Sequence, residues 1–304
     1  MTTETKPSST SGAGKSASFC NLRSKPSQEN SEVLLAVPEV PRTALLRPQP
    51  SQFTAHGSIW KQLGPYLGSI LILLLLWQAL AWAIQRPVLP PPLEAFQALG
   101  QQFFQGMDYH LAVSAWRVIA SLGWATLLGV PLGLYLGRNQ KWDRWAGPLV
   151  YLTYPLPKIV FLPIILVLLG LGDLSKIFLI GLIIFFQILV TTRDAARGVP
   201  KELIYSLKSL GAGEGQIYAH VIFPSCLPKI LTALRVALGT AIAVLFFSET
   251  IATTSGIGYY VMDAWARVAY DDLFAGVMGM GGLGFALYLL LDWAEKKLCP
   301  WEQP

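Results

Sequence analysis

Few ionisable residues lie inside the apolar stretches of this chain, and they bound the chemistry it can perform. Glu249 is the only acidic residue of the stretch at about 225–252, within Phe246-Phe247-Ser248-Glu249-Thr250. A carboxylate at the centre of a membrane span costs about 3 kcal/mol unless it is paired or wetted. Arg117 and Lys158 are its candidate partners. Two readings of Glu249 stand: a gate or pathway residue, and a structural ion pair. Direct ligation of an anion by Glu249 is disfavoured, because like charges repel. His56, His110 and His220 are scattered, and none has an acid, base or ligand partner at useful spacing. Cys20, Cys226 and Cys299 lack metal-ligand spacing. The pattern speaks against acid–base, nucleophilic and zinc chemistry; the chain reads as no enzyme.

The second informative segment is polar and runs from Ser209 to Pro224, Ser-Leu-Gly-Ala-Gly-Glu-Gly-Gln-Ile-Tyr-Ala-His-Val-Ile-Phe-Pro. Pro200 suits a first helical turn, and Lys201 to Leu210 mixes apolar and polar positions at helical spacing. Gly211 permits a left-handed cap. A second short helix is expected from about Gly213 to His220, with Pro224 opening the next apolar stretch. Helix, glycine, helix and proline make a rigid elbow; a plain solvated connection is the other reading.

Three glycine patterns carry less. Gly14-Lys15-Ser16 resembles the end of a phosphate-binding loop, but Ser9 stands where the first glycine is needed. Gly279 to Gly284 formally fits a dinucleotide fingerprint, yet lies inside an apolar stretch with no strand before it. Gly129, Gly133 and Gly137 share one helix face and favour close packing.

The elements that must hold these residues follow from hydropathy. Hydrophobic residues make up 53% of the 304 and charged residues only 13%, and the apolar runs have the roughly 20-residue length that crosses a bilayer. Six spans are expected: about 64–84, 113–136, 147–170, 174–192, 225–252 and 273–292. The third contains Pro155, Pro157 and Pro163 and should be broken and protein-facing. The 85–112 connection, with Pro90-Pro91-Pro92, should enter extended and continue as an interfacial amphipathic helix. Residues 1–56 are rich in Ser, Thr, Pro and charge and form an expected disordered tail; the membrane-embedded region is 57–304. Eighteen of the 23 lysines and arginines fall on one side if both termini are cytoplasmic. This places the 193–224 loop in the cytoplasm. The basic charge thus marks inner loops rather than a nucleic-acid surface.

From about Pro90 to Trp301 the chain resembles permease subunits of ATP-binding-cassette importers of the nitrate, sulfonate, taurine and bicarbonate group. Their loop signature is Glu-Ala-Ala, three residues, Gly, nine residues, then Ile-x-Leu-Pro. Here those positions read Tyr205-Ser206-Leu207, Gly211 and Val221-Ile222-Phe223-Pro224. The glycine and proline match; the triplet does not. Leu227-Pro228-Lys229-Ile230, Ala233 to Gly239, Leu89 to Glu94, Trp116-Arg117-Val118, Tyr154 to Lys158 and Gly256-Ile257-Gly258-Tyr259 are also similar.

The resemblance implies an all-α polytopic membrane protein of the type I ABC importer permease fold, in a bacterial-type inner membrane. It implies that Tyr205, Ser206, Leu207, Gly211, Ala212, Gln216 and Pro224 form the loop that docks on cytoplasmic ABC ATPase subunits. ATP and Mg would be bound by that partner, with no cofactor in this chain. It also implies an extracytoplasmic solute-binding protein and a second permease copy, with lipid around the spans. Glu249, Arg117 and Lys158 are the pathway or gate candidates. The expected solute is a small anion or organosulfonate. A stand-alone channel or ion-driven carrier is the alternative, weakened by the few buried ionisable groups and the lack of an evident internal repeat.

Overall fold

The computed structural model describes residues 59–84 and 88–302. The expected tail over 1–56, with Gly14-Lys15-Ser16, Cys20 and His56, lies outside them. The chain divides into compact units at Met1–Gln62 and Leu63–Pro304, and the architecture below belongs to the second apart from the start of its first helix. The described residues are helical or in short connections: α1 (Ile59–Ile84), α2 (Pro92–Gln102), α3 (Asp108–Arg138), α4 (Gln140–Thr153), α5 (Leu162–Leu169), α6 (Asp173–Arg197), α7 (Lys201–Ser209), α8 (Glu214–Ile217), α9 (Phe223–Glu249), α10 (Ile257–Ala266) and α11 (Tyr270–Leu298).

Four helical runs are long and apolar enough to cross a membrane singly, and α4 with the Lys158–Leu169 segment makes a fifth bent by 80°. The apolar segment Gly68–Ile84 of α1 is shorter. Together these occupy the six expected stretches. The bend falls where the prolines are: α4 stops at Thr153, and Tyr154 to Pro157 carries no regular helix. Pro163 does not contribute to the break. It sits in the first turn of α5, where a missing N–H costs nothing.

Two helices run past the expected span ends. Helix α6 continues past residue 192 to Arg197, and Arg193 and Arg197 both pair with Asp143. Helix α11 continues past residue 292 through Glu295, which pairs with Arg235. The 85–112 connection does hold the expected helix, α2, with Pro92 in its first turn. A π-helical turn at Phe103–Met107, kinked at Gly106, then carries it into α3.

The core is built by α3, α6 and α9, with α3 against α6 the most extensive pairing. Ile180, Ile184, Ile188, Val118, Ala125, Ala237, Ala241 and Leu245 fill it. Gly129, Gly133 and Gly137 do line the α3 face that meets α6. A Cβ on Gly133 would stand 2.8 Å from the Leu189 carbonyl oxygen, and one on Gly137 would fall on the Arg193 carbonyl oxygen and the Ala196 Cβ. Gly137→Leu should therefore force the helices apart and destabilise by about 1–3 kcal/mol. Gly123→Leu, whose Cβ meets nothing within 4 Å, should be near neutral. Thermal unfolding of the two variants in detergent checks the contrast.

Candidate functional site

The N-terminal parts of α3 and α6 and the C-terminal end of α9 meet in a buried charge network centred on Arg117. Arg117 is 1% exposed and Glu249 is fully buried. The Arg117 Nη1 donates to Glu249 Oε1 at 2.6 Å and to the Ser255 carbonyl at 2.9 Å. Its Nε and Nη2 donate to Asp173 Oδ1 at 2.9 and 2.6 Å, and Nη2 also reaches Ser255 Oγ at 3.0 Å. Glu249 accepts further bonds from Ser114 Oγ and from the Gly258 N–H, at 2.8 Å each. Ser114 Oγ in turn accepts from the Ile257 N–H at 2.8 Å. Both ions are thus paired and hydrogen-bonded, the condition under which a buried ion pair holds rather than disrupts a structure.

Helix α10 is seated by the same network. Its first N–H groups have no partner inside the helix, and those of Ile257 and Gly258 are taken up by Ser114 and Glu249. Gly256 precedes the helix with φ +111°, and its N–H donates to His110 Nδ1 at 3.1 Å. A Cβ on Gly256 would run into the Glu249 carboxyl group and lie 2.6 Å from Arg117 Nη1. Only glycine meets both the backbone and the space requirement there.

Of the three pathway or gate candidates, the structure thus joins two. Lys158 is elsewhere. Its Nζ donates to the carbonyl oxygens of Thr153 and Tyr154 at 2.9 and 3.1 Å and lies 4.6 Å from the centroid of the Phe186 ring. A cavity of about 370 Å³ opens there between the broken span, α6 and α9.

The C-terminal end of α6 carries a second charged cluster. Asp143 on α4 accepts from Arg193 and Arg197 of α6. Arg193 is 2% exposed, and its guanidinium carbon lies 5.3 Å from the Tyr151 ring centroid. No sequence pattern singles this cluster out, since Asp143 reads as an ordinary loop residue there.

Between α6 and α9 lies the polar segment. Helix α7 ends at Ser209 and is closed by Gly211, φ +81°, where the Gly211 N–H donates to the Lys208 carbonyl and the Ala212 N–H to the Leu207 carbonyl, at 3.0 and 3.1 Å. That bonding pair is a Schellman cap. Helix α8 begins with the Gly213 N–H donating to Gln216 Oε1 at 2.9 Å, half of a capping box. Lys208 and Glu214 pair across the turn at 2.8 Å. No second break follows. A π-helical turn at Tyr218–Ile222 joins α8 to α9, and Pro224 lies in the first turn of α9. Glu214 to Glu249 is one helical rod of 36 residues. Ile204 and Ile217 are buried, whereas Leu203, Tyr205 and Leu210 are exposed, Leu210 to 84%. Ser206 is exposed; its hydroxyl donates to the Glu202 carbonyl and its carbonyl accepts from Ser209 Oγ.

Residues 129–301 match the family of binding-protein-dependent transport system inner membrane components. The taurine transport system permease protein of Escherichia coli (strain K12) is 33% identical over 78% of this chain and 89% of its own length. A putative aliphatic sulfonates transport permease protein of Bacillus subtilis (strain 168) is 27% identical, covering 76% and 85%. The nitrate import permease protein of Synechocystis sp. (strain ATCC 27184 / PCC 6803 / Kazusa) is 24% identical, covering 77% and 89%. Among solved structures, an inward-facing form of the MetNI methionine ABC transporter superposes with a TM-score of 0.53 at 19% identity, covering 67% of this chain and 99% of that one; it supports the fold alone. With a family match over more than half its residues, and a relative above 30% identity along most of both chains, this chain belongs to the binding-protein-dependent transport system inner membrane components, the membrane-spanning permease subunits of ABC importers.

Proposed function

We propose that the chain forms half of the solute pathway of an importer for a small anion or organosulfonate, and that α7, Gly211 and α8 receive the stroke of a separate cytoplasmic ATPase. The observation that carries this is the exposed turn at Gly211 set at the tip of a continuous helical rod. Tyr205 and Leu210 offer uncovered apolar surface beside it, and apolar anchors of this kind are what a docking partner covers. Tyr205-Ser206-Leu207 replaces the acidic triplet of the family signature, so contact through an aromatic ring takes the place of contact through a carboxylate. ATP and Mg belong to the partner. A second copy completes the pathway, a solute-binding protein delivers from outside, and both termini face the cytoplasm. The taurine, sulfonate and nitrate relatives support the anionic solute.

Co-reconstitution with its ATPase and its solute-binding protein tests the reading. Uptake of labelled taurine, ethanesulfonate or nitrate should require ATP and the binding protein. Uptake by the chain alone, without ATP, would instead establish a channel or carrier. A Leu210→Cys variant should be labelled from the cytoplasmic side and protected by the ATPase; labelling only from outside sinks the orientation.

A further inference from the structure

We propose that Lys158, with Gln187 and Thr240, forms an anion-binding step inside the pathway, selecting a small oxyanion by a charge that the protein leaves uncompensated. The proposal rests on the importer reading and adds a site to it. Other described cations inside the helical body are balanced or sealed. Arg117 is paired with Glu249 and Asp173, Arg193 with Asp143, and Arg235 with Glu295. Lys176 is fully buried, with its Nζ against the carbonyls of Leu171 and Gly172.

Lys158 differs in opening onto a cavity, and no described carboxylate oxygen pairs with it within 4.0 Å. Two carbonyls and an aromatic face fix the ammonium without neutralising it, and they use two of its three donors. The site lies near the middle of α6, where an ionisable group marks a solute path more often than a packing need.

The rest of the cavity suits an anion. Phe186, Val244 and Phe247 give it apolar walls, which strengthen a charge's pull relative to open water. Gln187 Nε2 donates to Thr240 Oγ1 at 3.1 Å, while Gln187 Oε1 is buried without a partner. The Lys158 ammonium borders a space of about 370 Å³ that Gln187 and Thr240 also line, enough for nitrate or a short sulfonate. One charge with weak helpers attracts an ion yet lets it leave, as passage requires.

The test uses the full chain in membrane vesicles, with Cys20, Cys226 and Cys299 replaced and Thr240→Cys introduced. Two thiol reagents of similar size are compared, 2-sulfonatoethyl and 2-(trimethylammonio)ethyl methanethiosulfonate. The anionic reagent should be favoured, and Lys158→Gln should lower the anionic-to-cationic rate ratio about tenfold while Lys158→Arg preserves it; such a bias is the local-concentration effect of a focused field. Unreactive methanesulfonate should slow the anionic reagent with Lys158 present and not with Lys158→Gln. An unchanged ratio, no protection by methanesulfonate, or a Thr240→Cys thiol inert to both reagents overturns the site. Labelling needs neither ATP nor partners. A failure here beside intact ATP-driven uptake therefore removes the site and leaves the importer reading standing.

Discussion

Arg117→Met should unfold the protein more readily than any other single change in the Arg117 network. The substitution leaves Glu249, fully buried, and the Asp173 carboxylate without their shared cation. Removing one partner of a buried pair costs about 3–5 kcal/mol, and here α10 also loses the anchored carboxylate that caps it. Glu249→Gln should cost less, about 1–3 kcal/mol, because the amide still accepts from Ser114 and Gly258 while Arg117 keeps Asp173. The double variant should lose less than the sum of the two, since neighbouring residues in one network couple. Thermal unfolding in detergent, with limited proteolysis at the Thr250–Ser255 turn, reads all three. Wild-type stability in Arg117→Met would remove the network's structural role and return Glu249 to the gating reading.

Gly211→Val should insert and fold yet abolish coupled uptake, by at least tenfold. A Cβ at this position meets nothing within 4 Å, so crowding is not the cause. The cause is the backbone: φ +81° is poorly open to a β-branched residue, and the left-handed conformation costs an L-residue about 1–2 kcal/mol. Losing it unwinds the Schellman cap and lets α7 swing independently of the rod. Gly211→Asn, which tolerates the left-handed region, should retain most uptake. Equal uptake across glycine, asparagine and valine would refute a coupling role for the turn. A graded loss with intact membrane insertion supports one.

Local features were the legible ones. The apolar runs, the proline break between α4 and α5, the left-handed cap at Gly211 and the α3 glycine face each depend on neighbours within a turn or two of chain. The charge network depends on something else. Glu249 and Arg117 could be named as a possible pair, but Lys158 stood equally available, and only the crossing of α3 with α9 decides between them. Asp173, Ser114 and the 258 N–H come from three separate places in the chain, so no spacing reveals them. Helix α10 escaped notice because ten residues fall short of a span and its N-terminus is satisfied by side chains from α3 and α9. Asp143 illustrates the same limit at the other end of α6: an apparent loop aspartate becomes an ion-pair partner once α6 brings Arg193 and Arg197 beside it.

The uninterrupted rod from Glu214 to Glu249 has a mechanical corollary. At about 1.5 Å per residue its 36 residues measure about 54 Å, and its far end is pinned through Glu249. Pivoting about that pin by about 5° would sweep the Glu214 tip through roughly 5 Å, one helical turn. The long moment arm converts a modest displacement applied at the tip into a small rotation at the hinge, so the ion pair survives intact while the walls along the shaft shift past one another.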